Sequence, residues 1–162
     1  MRTIPDPGFA GDDGQVSPAV AEAQRGVAEG APLEVAVAAL CGARLLVPVV
    51  AMPDEVEHDP GGPARDKTAT MAAVLLTGRD GRRALLAFTG LAGLQAWNAD
   101  ARPVPVTARD AARAALAEGA DALVVDVAGP VQVPVEGDTL RRIADGHRLV
   151  RGEEAWFWAV SG

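Results

Sequence analysis

The sequence predicts an α+β (α/β) domain, a two-layer arrangement in which helices pack on a mixed sheet of about five strands. Three observations lead there. Apolar runs of strand length, Arg44–Ala51 and Ala122–Val127, alternate with helical stretches. Two further strand-like runs, Ala69–Thr77 and Arg83–Thr89, are joined through Gly78-Arg79-Asp80-Gly81. That is a β-hairpin signal, and an antiparallel pair breaks a purely parallel order. Finally, 49% of the 162 residues are hydrophobic, enough for one core without disulfides. Only 4% are aromatic and none is Tyr, so Ala, Val and Leu must build that core.

The elements follow from local chemistry. Residues 1–15 are rich in Pro, Gly and Asp and read as disordered; 16–162 read as a single domain that includes an aromatic C-terminal tail. Ser17-Pro18 starts a helix, Ser as cap and Pro at the first helical position, with Val20, Gln24 and Val27 as its stripe. A second helix runs from Pro32 to Cys41, stopped by Gly42. In the strand Arg44–Ala51, Pro48 lacks an N–H and calls for an edge position or a bulge. Residues 53–68 form a loop. Gly90–Trp97 is a short helix, Thr89 its expected cap, and Pro103–Val106 is extended. Thr107 caps an alanine-rich helix closed by Gly119. The strands Ala122–Val127 and Val131–Val135 follow, then a helix capped by Asp138 with Leu140, Ile143 and Ala144 inward. The chain closes on Trp156–Val160.

Charge and composition exclude several function classes. A net charge of −7 repels phosphate backbones, so nucleic acid is not an expected partner. The longest apolar run, Leu33–Ala51, is interrupted by Glu34, Gly42, Arg44 and Pro48, so no membrane partner is expected either. One cysteine forms no internal disulfide, and the acidic N-terminus lacks a signal-peptide core, which makes the cytoplasm the expected location.

The run Phe88-Thr89, Leu94, Ala96-Trp97 and Ala101-Arg102-Pro103-Val104-Pro105-Val106 resembles the SseB family, of the enhanced-serine-sensitivity type in high-GC Gram-positive bacteria. Asp66-Lys67 and Met71 upstream, and Ala122–Asp126 with a Gly-Pro turn downstream, are similar too. The resemblance spans Ala43 to Gly146 and implies the fold; it brings no catalytic residue with it.

Sites that could carry chemistry are few. Asp54, Glu55, Glu57, His58 and Asp59 lack the alternating oxygens and central Gly of a calcium loop, and read as a solvated acidic loop. Too few His and Cys are present for zinc, and no cofactor motif occurs, so no cofactor is expected. Cys41, between Leu40 and Gly42, reads as a small buried filler. The only serines, Ser17 and Ser161, lie outside any nucleophile elbow. Asp121 and Asp126 flank one strand, as a turn residue and a strand end, with an acid–base pair as the alternative. Thr89-Gly90 leads into a helix start that, with Arg109 and Arg102, would form an anion pocket. Trp97, beside Asn98 and preceding Arg102, has the composition of a binding hot spot, with sealing of the core as the alternative. The tail with Trp156 and Trp158 either docks on its own domain, contacts a second subunit or forms an exposed apolar patch.

The expected function is therefore a non-catalytic cytoplasmic domain that binds a protein partner or a second copy of itself, through Trp97, Arg102, Trp156 and Trp158. The alternative is a binding protein or enzyme for an anionic metabolite, built on Thr89, Gly90 and Arg109.

Overall fold

A computed structural model describes residues 9, 11–52 and 70–160. The acidic loop 54–59 and most of the N-terminal segment lie outside the described residues. The order is α1 (Pro18–Ala28), α2 (Leu33–Cys41), β1 (Arg44–Met52), β2 (Thr70–Ala73), β3 (Leu75–Thr77), β4 (Arg83–Ala87), α3 (Leu91–Trp97), β5 (Arg102–Thr107), α4 (Ala108–Ala117), β6 (Ala122–Val125), β7 (Val133–Glu136), α5 (Gly137–Ala144), β8 (His147–Arg151) and β9 (Trp156–Val160). The α+β class stands, but the single sheet of about five strands resolves into three sheets: β2-β1-β5, β3-β4-β6-β7 and β8-β9.

The expected strand 69–77 changes partner midway. β2 pairs antiparallel with β1, whereas β3 pairs antiparallel with β4 across the predicted turn. Leu46 and Phe88 exchange both backbone hydrogen bonds, at 2.7 and 2.8 Å, and so stitch the two sheets together.

That stitch explains three prolines. Because the polar groups of Leu46 face Phe88, its pair with Pro105 on β5 carries no hydrogen bonds, and neither does Pro48 with Pro103 two residues on. The N–H that Pro48 lacks would fall where the neighbour of β1 changes from Phe88 to β2. Pro48 thus sits in the middle strand of its sheet, in unbroken register with β5, neither at an edge nor in a bulge. Pro103 and Pro105 remove donors from the outer edge of β5, where none is needed.

Alternation along the strands makes two faces. Leu45, Val47, Leu85, Ala87, Leu123 and Val125 join the buried residues of α1, α2, α4 and α5 in the larger core. Leu46, Leu86 and Phe88 meet Leu94 of α3 in a smaller one, so helical cover is found on both faces and not on one. Ala108, Ala111, Ala112 and Ala115 are the buried residues of α4; lacking bulk, they let the helix approach the sheet closely.

Candidate functional site

β4 and β6 run parallel, and past their C-terminal ends lie Thr89 and Asp126. Asp126 is 5% exposed and accepts three hydrogen bonds: from Thr89 N–H (2.9 Å), Thr89 Oγ1 (2.6 Å) and Gln24 Nε2 (2.5 Å). Its backbone takes the left-handed conformation (φ 57°), which Asp tolerates better than most residues. In open α/β sheets the C-terminal ends of parallel strands are where ligand crevices form. Here Gln24 of α1 fills that place.

This clamp displaces two expectations. Thr89 is not the cap of α3: Gly90 holds that position without a side-chain bond, and the Thr89 hydroxyl is committed to Asp126. Asp121 stands at the far end of β6, exposed, where Oδ2 accepts from Arg83 N–H (2.9 Å). The two carboxylates are thus separated by the length of a strand and form no acid–base pair.

The start of α3 is also taken. Leu91 N–H donates to Gly14 O (2.7 Å), and a Cβ at Gly90 would stand 2.7 Å from Val16 Cγ2. Residues 12–15, expected to be disordered, are held here because Arg44 binds Asp12 (2.6 Å), Gln15 O (2.7 Å) and Thr89 O (2.9 Å). Burial works to raise the Asp12 carboxyl, but the Gly14 N–H and the Arg44 guanidinium outweigh it and hold Asp12 below the usual carboxylate range. The chain's own segment therefore covers the place where Thr89-Gly90 would receive an anion. Arg109 lines a different cleft, beside Cys41, Gly42 and Arg148.

Trp97 is half-buried, its ring 5.7 Å from that of Phe88. It seals the smaller core, while Arg102 is exposed at the start of β5. The aromatic tail is β9, whose register with β8 places Leu149 opposite Trp158 and Val150 opposite Phe157. Leu149 and Trp158 pack inward on the larger core; Arg142 lies 5.9 Å from the Trp158 ring and Arg151 5.3 Å from that of Trp156. Phe157 is 52% exposed and Val160 75%.

The outer edge of β9 faces no strand among the described residues. Of the other outer strands, β5 carries two prolines, β7 carries Pro134, β3 has only three residues and β8 carries two arginines, while β2, Thr-Met-Ala-Ala, is four residues long and likewise has neither proline nor charge. β9 reads Trp-Phe-Trp-Ala-Val, with neither proline nor charge.

The family model for the SseB protein N-terminal domain matches residues 17–142. The chain belongs to the SseB family. No curated protein and no solved structure matches it. The SseB match runs from the cap of α1 into α5, and so includes the Asp126 clamp, Trp97 and Arg102. The β8–β9 hairpin lies beyond it.

Two features of this SseB chain escaped the sequence reading. One is β8, whose His-Arg-Leu-Val-Arg alternation was the available signal, together with the turn closed by Gly152 N–H to Ala155 O (2.8 Å). The other is the environment of Cys41. It is half-buried in the cleft wall and not a sealed filler; burial pushes its thiol up, outweighing the Leu149 backbone and the Arg148 charge.

Proposed function

We propose that this SseB-family chain is a cytoplasmic, non-catalytic protein-interaction domain that receives an extended segment of a partner along the outer edge of β9. One observation carries the reading: a five-residue strand edge without charge or proline, unpaired among the described residues and bearing the exposed side chains of Phe157 and Val160. A backbone ladder to a third strand along such an edge supplies affinity, and side chains at alternate positions supply specificity. The partner's segment would carry an apolar residue opposite Phe157, with its neighbours at alternate positions on the same face. Trp97 is less favoured as a contact, because its ring already packs on Phe88. The single cysteine, which gives no disulfide framework, accords with the reducing cytoplasm.

Affinity capture from native cytoplasm tests this, with wild type beside a folded Phe157→Lys/Val160→Lys variant. Both substitutions fall on exposed side chains and add the charge that protects natural edges. Near-stoichiometric retention by wild type and loss in the variant supports docking on β9. Equal retention by both, with loss in Trp97→Ala, moves the interface to α3 and refutes the assignment.

A further inference from the structure

We propose that the cleft between the end of α2, the first turn of α4 and the start of β8 binds a small hydroxylated anion, a carboxylate or a phosphate, between Arg109 and Arg148. The cleft measures about 570 Å³, the size of a small-metabolite site. Neighbouring arginines are already committed: Arg44 to Asp12, Gln15 and Thr89, and Arg113 to Ala144 O at 3.0 Å. Among the described residues Arg109 and Arg148 have neither an ion pair nor a hydrogen bond.

Both side chains lie against glycine. A Cβ at Gly146 would stand 3.5 Å from Arg109 Nε, and one at Gly42 would stand 2.8 Å from Arg148 Nη2. Two forked donors thus line one cleft from different elements, α4 and β8, and such forks recognise a carboxylate or a phosphate. The N-terminal end of the ten-residue α4 adds its partial positive charge on the same side.

His147 also lines the cleft, but its Nδ1 has no accessible surface there and offers a ligand no contact. Asp110 and Asp145 also line the cleft, so it does not suit a bare anion. They accept hydrogen bonds, which is why the ligand must carry hydroxyl donors beside its anionic group.

Titration calorimetry on the full chain tests the assignment, with glycerol 3-phosphate and glycerate as ligands and inorganic phosphate and glycerol as controls. The expected result is a dissociation constant below about 1 mM for at least one of the two ligands. Arg109→Met and Arg148→Met, each checked by near-ultraviolet circular dichroism, should each weaken it by about 10-fold or more. Both side chains are exposed, and if one variant does not fold the other carries the test. No saturable binding by either ligand overturns the proposal. So does binding that both variants preserve, or binding matched by inorganic phosphate or glycerol.

Discussion

Replacing Asp126 by alanine removes one carboxylate and strands three donors. The Thr89 N–H and hydroxyl belong to a residue 4% exposed, so water cannot readily replace the lost acceptor; Gln24, at 9%, is little better placed. Each buried donor left unsatisfied costs about 1–3 kcal/mol. Gln24 can recover part of its share by turning outward, and Thr89 by rotating its hydroxyl, so the lower half of each range applies. A left-handed alanine adds about 1 kcal/mol more. The sum is a loss of about 4–7 kcal/mol, large for a single substitution. Asp126→Asn keeps an acceptor for Thr89, and its amide can donate to a flipped Gln24 side chain. It also tolerates the positive φ, so about 1–2 kcal/mol is expected. Urea denaturation followed by far-ultraviolet circular dichroism reads both values, with the m-value checking that the unfolding transition is the same. A loss under 1 kcal/mol in the alanine variant, or a larger loss in asparagine than in alanine, would refute the clamp.

Three further outcomes follow from the same geometry. Trp97→Ala should destabilise by about 2–3 kcal/mol, less than a fully buried tryptophan because the ring is half-exposed; thermal unfolding showing no change would mean that the Phe88 contact carries no energy. A folded-state pKa held low at Asp12 stabilises the docked segment above the unfolded value of about 3.9 and loses that contribution as pH falls through the lower folded value. The Leu91 amide, bonded to Gly14 O, should therefore keep its exchange protection at pH 5 and lose it only below pH 3.8; loss already at pH 5 would contradict the sign. Because burial raises the Cys41 thiol, its reaction with a disulfide reagent at pH 8 should be slower than in the urea-unfolded chain. Equal rates would show that the thiol is open to solvent.

What was legible was local. Ser17 and Thr107 cap their helices as read, with Ser17 Oγ accepting from Val20 N–H and Thr107 Oγ1 from Asp110 N–H, because a cap and its acceptor lie within one turn. Asp138 failed the same test: the cap position falls on Glu136, and Asp138 pairs instead with Arg142 at 2.8 Å. The turn at Gly78–Gly81 was equally local. The change of partner between β2 and β3 was not, because a continuous apolar run contains no mark of which strand it will meet. The Asp126 clamp depends on Gln24, 102 residues earlier in the chain, and no spacing rule joins them. Arg109 was singled out, but with Thr89 and Gly90. It shares its cleft with Arg148, on a strand whose short, charge-rich alternation gives a weak periodic signal.

The central claim, docking along β9, is most directly tested by placing a photo-crosslinking phenylalanine analogue at position 157 and irradiating the protein in native lysate. Leu116, 39% exposed on α4, serves as the control position. The account predicts a discrete adduct from position 157, abolished by Val160→Lys, and none from position 116; its added mass distinguishes a foreign partner from a second 16.6 kDa copy. No adduct from position 157, or the same adducts from both positions, would contradict it.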